Sequence, residues 1–345
     1  MGMAYNELRD LAIVVAKAEN AAPIAYSFGD KKYSYADLQD VLRDELKELA
    51  GSYNAYRRNK LTIFELMQEV IDEVLPNKVI AAIGRFAEVR QYGQGQKAIF
   101  KKKAGKIRAK AFITKVGLSG IYETFTLDNE YFEVNTMAFG GAAQVGFERF
   151  LDGTVDFADL LDVIVVGLEE AIYTEVQSAL KSATSKIPAA NQASVASFDA
   201  AAITKLKGII DIVKAYGGNA NIFCTSTFAA GLSGDTGSYF TSDIDRAEYR
   251  DMGYVGKFHT ANVIVLPQSY NDLNNTETVI DPEYAYIMPT GGQGSEQVVK
   301  VALEGDTVID EVVNVDRSRE IQAYKKFGVA VLSANHYGIF RNTGL

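Results

Sequence analysis

The sequence is poor in the residues that most often hold a metal or cross-link a chain. It has one cysteine and two histidines in 345 residues. The single cysteine, Cys224, excludes a disulfide within the chain, and no CxxC pair or Cys/His cluster has the spacing of a zinc site. No apolar run approaches the roughly 18 residues of a membrane span, and the N-terminus has no basic leader. These absences predict a soluble protein with no membrane contact and no standard secretion signal.

The common catalytic motifs are also missing. No GxxxxGK[ST], GxGxxG or GxSxG pattern occurs. Asp235-Thr236-Gly237 matches the aspartic-protease loop, but those enzymes need two copies and this chain has one, so a surface turn is expected. Cys224 lies in the apolar segment FCTST, where a buried small side chain is expected, and His259 and His336 lack carboxylates at a metal-binding spacing. The sequence therefore predicts no catalytic, cofactor-binding or metal-binding residue, and no cofactor.

Positive charge is concentrated in one stretch. Lys97 to Phe112 holds seven basic residues and no acid; these seven, called the basic strip below, are Lys97, Lys101, Lys102, Lys103, Lys106, Arg108 and Lys110. The whole chain has 35 basic and 44 acidic residues and a net charge of −9. Without the strip, 28 basic residues stand against 44 acidic ones, a net charge of −16. Such segregation indicates a partner surface.

Three interpretations of the basic strip remain open from the residues alone. It is a solvated strand edge that lysines protect from aggregation, a nucleic-acid site, or a docking surface for an acidic protein. The absence of aromatic residues between Lys101 and Lys110 weakens the nucleic-acid interpretation. Docking also explains why residues 84–125, which alternate like a β-hairpin, have too few large apolar side chains for a core of their own.

Helical periodicity dominates the first 80 residues. Ser34 with Asp37 resembles a capping box before a helix that Gly51 closes, and Thr62 with Glu65 predicts a second helix that Pro76 stops. GSYNAYRRNK between them is turn-prone, so these helices are expected to form an arm that need not pack on itself.

The strongest single element is a long helix in the middle of the chain. Apolar residues keep helical spacing from Phe157 to about Ala183, with Asp156 as the expected cap, and we call this segment the spine helix. A strand is predicted before it at 129–139. After it come a helix over 198–216, the buried strand NIFCTS, and strands near 259–269, 284–290 and from 298, with a last strand pair from Lys325.

This order of elements resembles the major capsid protein of tailed bacteriophages, a fold shared with encapsulins. The resemblance lies in NAYRRNKLTIFELMQEVIDEVLP, FERFLDGTVDFADLLDVIVVGLEEAIYTEVQSAL, IIDIVKAYGGNANIFCTST and REIQAYKKFGVAVLSANHYGIFR. It implies an α+β fold with an N-terminal helical arm (1–80), an extended basic loop (81–127), a peripheral domain with the spine helix (128–194), an α/β axial domain (195–325) and a C-terminal return to the peripheral domain (326–345).

The same resemblance implies a function. Copies would form the hexamers and pentamers of an icosahedral head that encloses double-stranded DNA. The head would assemble in the cytoplasm of a bacterial host, and its contact with the DNA would be weak and non-specific. The extended loop would lie on the neighbouring subunit, with its acidic partners expected among Glu69, Asp72, Glu73, Glu169, Glu170 and Glu175. Portal, scaffolding and decoration proteins are further expected partners. An encapsulin-like nanocompartment shell and, from another class, an α/β enzyme with a mobile flap are the alternatives.

Overall fold

A computed structural model describes most of the chain. It covers residues 4–18, 26–28, 31–33, 35–102, 130–144, 157–217, 219–234, 249–270, 274–290, 297–313, 319–332 and 337–345. The helices are α1 (Tyr5–Ala18), α2 (Tyr35–Ala50), α3 (Tyr53–Ile83), α4 (Phe157–Ala183), α5 (Ala200–Gly217) and α6 (Ser226–Gly234). None of the helices within these ranges combines the length and the apolar content that a membrane crossing requires.

The strands form two larger sheets and two small ribbons. They are β1 (Tyr26–Phe28), β2 (Lys31–Tyr33), β3 (Ala87–Tyr92), β4 (Ala98–Lys102), β5 (Glu130–Val134), β6 (Met137–Gln144), β7 (Gln192–Val195), β8 (Ala220–Cys224), β9 (Lys257–Phe258), β10 (Ala261–Val265), β11 (Tyr284–Pro289), β12 (Val299–Val313), β13 (Arg319–Val331) and β14 (Gly338–Asn342). This mixture of helices with mostly antiparallel strands confirms the α+β class.

The four-stranded sheet has the order β3-β12-β13-β6. Alternation along β12 gives it two different faces. Val299, Val301 and Leu303 point into the main core, where α3 and α4 pack, whereas Ala302 belongs to a small separate cluster on the opposite face. That opposite face receives β4 and β5.

The six-stranded sheet has the order β7-β14-β11-β8-β10-β9. Helix α5 covers one face with five buried apolar side chains, Ile203, Leu206, Ile209, Ile210 and Val213. It approaches so closely that a Cβ at Gly338 on β14 would lie 2.1 Å from Ile209 Cγ2, which only glycine avoids. The other face contributes Phe223 and Met288 to the main core, so the two sheets share that core.

The spine helix has the predicted bounds, since α4 spans Phe157–Ala183. Val165, Ile172, Val176 and Leu180 are buried along one stripe that faces β13 and α3. The predicted cap Asp156 lies outside the described residues. The helix over 198–216 and the buried strand NIFCTS are also present, as α5 and β8.

The N-terminal helices differ from the prediction in three respects. Thr62 does not begin a helix, because α3 starts ten residues earlier with Ser52 Oγ accepting a hydrogen bond from the Ala55 N–H (3.2 Å). Pro76 does not end it either, because α3 continues to Ile83. Helices α1, α2 and α3 also pack on one another instead of forming separate arm segments.

Burial explains why the helix passes through Pro76. A proline inside a helix costs about 3 kcal/mol, and burial of one large apolar side chain contributes roughly 1.5–3 kcal/mol. Leu75, Val79 and Ile83 are all buried in the main core around the proline. Their burial outweighs the loss of one helical hydrogen bond.

The C-terminal segment divides between the two sheets. The C-terminal residues were expected to pack on the spine helix. β13, which contains the first of them, does pack on α4. β14 instead pairs with β11 and β7 in the six-stranded sheet. The division of the chain into the five domains inferred from the resemblance remains a prediction.

Candidate interaction site: the ribbon and its root

β4 and β5 form an antiparallel two-stranded ribbon, called the ribbon below. Its register runs from Ala98 opposite Val134 to Lys102 opposite Glu130. The two strands therefore bring Lys102 and Glu130 together. Residues 103–129 between them contain most of the basic strip and lie outside the described residues. The sequence predicted a hairpin within 84–125, whereas the partner that the structure gives to β4 lies beyond that range, at 130–134.

The ribbon has one buried and one exposed face. Ala98, Phe100 and Val134 pack on Ala302 of β12, and the Phe100 ring stacks on Phe132 with centroids 6.0 Å apart. On the opposite face Ile99 is 44% exposed and Tyr131 is 65% exposed, beside the exposed Lys101. An aromatic and an aliphatic side chain thus face outward beside a lysine, and exposed aromatic residues of this kind are enriched at protein interfaces.

Two cations lie near the buried ring of Phe100. Lys300 Nζ and Arg90 Cζ lie 6.0 and 5.3 Å from its centroid, and both cations pair with Glu88. Burial of Glu88 opposes its ionisation, but the hydrogen bonds and charges of Lys300 and Arg90 prevail and lower the pKa of this carboxyl. The ribbon therefore rests on an ionic cluster, of which only Lys300 is fully buried, as well as on apolar contacts.

Glu304 of β12 lies at the root of the ribbon, where the chain enters β4 and leaves β5. Its side chain is buried, with the residue only 9% exposed. One carboxylate oxygen accepts a hydrogen bond from the Gly95 N–H at 3.0 Å, and the other accepts one from the Thr136 hydroxyl. The hydrogen bond from Thr136, followed by that from Gly95, lowers the pKa of Glu304.

The basic strip is described only in part. Lys97 Nζ lies 3.0 Å from a Glu133 carboxylate oxygen, and both side chains are largely exposed, so this pair contributes at most about 1 kcal/mol. Lys101 is exposed on β4, and of Lys102 only the backbone is described. Lys103, Lys106, Arg108 and Lys110 lie outside the described residues.

The six candidate acidic partners occupy different environments. Asp72 is bound within the chain, to Lys325 Nζ at 2.5 Å and to the Thr307 N–H and hydroxyl. Glu73 pairs with Lys17 at 2.8 Å and Glu69 lies 3.8 Å from Arg9, both at the surface between α3 and α1. On α4, Glu169 accepts a hydrogen bond from the Tyr173 hydroxyl, while Glu170 and Glu175 are half-buried.

Sequence reasoning missed the buried charges Lys300, Glu304 and Lys325 and the partly buried Glu88. A signal was present in VVKVALEGD, because Lys300 and Glu304 fall at even positions of a strand whose odd positions are apolar. Alternation of this kind normally indicates a solvent-facing side. The ribbon covers that side, and its placement depends on pairing between segments more than 200 residues apart.

Of the residues weighed as catalytic candidates, the structure describes Cys224 and His259, and it does not bring these two together. Cys224 is fully buried, and burial raises the pKa of its thiol to about 12, so it is not a thiolate at neutral pH. His259 lies 3.4 Å from Asp211, next to Ala261 at the start of β10, whereas Cys224 pairs with Val265 at the other end, about 13 Å along the strand. Asp235 and His336 lie outside the described residues. Within the described ranges, no group of three or more His, Cys, Asp or Glu could hold a metal.

Replacing Cys224 with alanine is expected to lower the free energy of unfolding by about 1 kcal/mol, because one small buried group is removed. Assembly should be unchanged. Thermal melting and sedimentation of the parent and the variant test this together. A hydrolytic or redox activity that disappears with Cys224→Ala while the fold persists would contradict the structural role.

Several solved structures of shell proteins are similar to this chain. The virus-like particle of Pyrococcus furiosus is 13% identical, with 81% of this chain and 99% of that chain covered, at a TM-score of 0.46. The capsid of cyanophage P-SCSP1u is 11% identical over 76% and 88%, and the head of Helicobacter pylori bacteriophage KHP40 is 14% identical over 76% and 91%, both at a TM-score of 0.49. A search among characterised proteins finds no significant match in sequence.

A family model matches almost the whole chain. It is described as "SPbeta prophage-derived putative capsid protein YonB" and matches residues 7–341. The match includes the ribbon, the spine helix and both sheets, and it confirms the resemblance to phage capsid proteins. The chain therefore belongs to the YonB family of prophage-derived capsid proteins.

Proposed function

We propose that this chain is the major shell subunit of a phage head, and that its copies self-assemble into an icosahedral shell around double-stranded DNA. The observation that supports this most strongly is the capsid-family match over residues 7–341. The net charge of −9 suits a shell that must be filled with DNA and later release it, because an acidic surface does not retain phosphate. The virion is the corresponding location, with assembly in the cytoplasm of a bacterial host.

The ribbon and the basic strip are the contact that we propose between neighbouring copies. The outward face of the ribbon presents Ile99, Tyr131 and Lys101, and the rest of the strip follows Lys101 in the sequence. Single exposed ion pairs contribute about 0 to 1 kcal/mol. A closed shell repeats every contact by symmetry, so weak pairs together decide whether the shell forms.

The acids of α4 are the partners that we favour on the neighbouring copy. The carboxylate of Asp72 already accepts hydrogen bonds from Thr307 and Lys325, and Glu69 and Glu73 face cations of α1. Glu169 accepts the Tyr173 hydroxyl. Glu170 and Glu175 of the spine helix are therefore the best candidates among the six.

Hexamers and pentamers are the proposed capsomers of this shell. Portal, scaffolding and decoration proteins are proposed as partners in the virion. Packaged DNA is proposed to meet the shell only through weak, non-specific contact.

Sedimentation velocity of the purified chain tests the proposal. We expect fast, uniform particles at low salt, and fewer of them at high salt, because exposed charges are screened within about 8 Å at physiological ionic strength. Particles from the native source that contain nuclease-resistant double-stranded DNA would support a phage head. Particles that contain a protein cargo instead would support the encapsulin-like alternative, and a monomer at every salt concentration would contradict both.

A further inference from the structure

Both ends of the ribbon converge on one carboxylate. Gly95 lies in the turn that leads into β4, and Thr136 lies between β5 and β6. Glu304 binds each of them with a different oxygen, at 3.0 Å for the Gly95 amide. The entry and the exit of the ribbon are thereby fixed to the same point of β12.

Two glycines with positive φ values allow the turn before β4 to approach Glu304 closely. Gly95 and Gly305 have φ values of +75° and +66°, in the left-handed region that favours glycine. A Cβ at Gly305 would lie 3.4 Å from the Gln94 side chain, so the turn before β4 packs directly against β12. The pairing of β12 with β13 is interrupted immediately after Glu304, between Glu304 and Val308.

The other contacts of the ribbon involve mainly β4. Phe100 and Val134 rest on the small side chains Ala302 and Ala330, the Tyr92 hydroxyl donates a hydrogen bond to the Ile99 carbonyl at 3.0 Å, and Lys300 and Arg90 lie near the Phe100 ring. The apolar part of this contact is non-directional, whereas Glu304 joins the entry of β4 to the exit of β5. Two hydrogen bonds to one charged group have a defined geometry and are stronger than neutral ones.

We propose that Glu304 is the positioning residue of the ribbon: by binding Gly95 and Thr136 at once, it fixes the direction in which the ribbon leaves the four-stranded sheet. If the chain forms a shell as proposed above, a fixed ribbon means that every copy presents its contact to its neighbour in the same orientation. This consequence for assembly rests on the proposed function. The structural part of the proposal concerns the single chain and can be measured without assembly.

Hydrogen exchange of the unassembled chain, read by mass spectrometry, tests the structural part. We expect Glu304→Ala to raise exchange at least tenfold in peptides that cover 93–101 and 130–136, with no change in α4 or α5, because only the root loses its bonds. Glu304→Gln should stay near the parent, since its amide can accept from Gly95 and donate to Thr136. Asp310→Ala, at an exposed acid of the same strand, is the matched control and should change nothing.

Unchanged exchange at the root in Glu304→Ala, or an equal rise in α4, would overturn the positioning role. Sedimentation of the same variants tests the consequence, and we expect Glu304→Ala to form few or misshapen particles while Asp310→Ala assembles like the parent. Normal particles from a variant whose root has loosened would overturn the link to assembly but leave the proposed function standing. Failure of the parent itself to assemble would overturn the proposed function, whereas the exchange result would still decide the role of Glu304.

Discussion

Replacing Asp72 with alanine is expected to lower the free energy of unfolding by about 3–5 kcal/mol, the typical effect of leaving a buried charge without its partner. Lys325 is only 4% exposed in its side chain, and its Nζ lies 2.5 Å from Asp72 Oδ1 and 3.2 Å from the Gly305 carbonyl. The Thr307 N–H and hydroxyl would lose the same acceptor. This network links α3 to β12 where the pairing of β12 with β13 is interrupted. Chemical denaturation should therefore show the lower stability of Asp72→Ala as a midpoint at a lower denaturant concentration.

The neighbouring residue provides a matched control. Glu73 is an acid on the same helix that also pairs with a lysine, Lys17 at 2.8 Å, but both side chains are about half exposed. Glu73→Ala should therefore cost no more than about 1 kcal/mol. The double variant Asp72→Ala/Lys325→Met should recover part of the loss, because no unpaired charge remains buried. Equal effects of Asp72→Ala and Glu73→Ala would show that burial of the first pair has no energetic weight.

Reversing Lys101, Lys102 and Lys103 to glutamate should block or misdirect assembly while the chain stays folded. The exposed side chain of Lys101 does not contribute to the core, so its reversal should leave the fold intact. Circular dichroism checks the fold, and sedimentation velocity measures the assembled fraction. Several lost and reversed pairs at every symmetric contact should reduce that fraction strongly.

A second triple reversal separates position from net charge. Lys186, Lys205 and Lys257 are exposed and lie outside the basic strip, and their replacement by glutamate changes the net charge by the same amount. This control should assemble better than the reversal within the strip. Normal shells from the reversal within the strip would favour a solvated strand edge, and equal loss in both variants would point to overall charge.

The long amphipathic helices are the part of the fold that the sequence predicted best. The bounds of α4 follow from an apolar stripe that is continuous over 27 residues, and those of α5 from five inward side chains followed by Gly217. Such patterns depend only on residues a few positions apart, so they can be recognised without knowledge of the tertiary contacts. For the same reason the buried strand β8 was found from its own composition.

Local signals failed where burial outweighed them. Pro76 is a strong stop signal, yet the apolar residues on both sides of it lie in the main core and keep α3 helical to Ile83. The capping pattern at Thr62 is likewise overridden by the cap at Ser52. Propensity decides only when the surrounding packing does not.

The root of the ribbon was beyond local reasoning for a different reason. Glu304, Gly95 and Thr136 come from three separate segments, and the distance along the chain from Gly95 to Glu304 is 209 residues. Period-two alternation identifies which residues share a face of β12, but not what covers that face. The basic strip, in contrast, was visible at once, because charge segregation needs no knowledge of pairing.

Negative-stain electron microscopy of the purified chain decides whether it forms shells. We expect closed shells of uniform size, or tubes and rings of capsomers, at low ionic strength and high protein concentration. A folded protein that remains dispersed as single subunits under those conditions would contradict a shell-forming function.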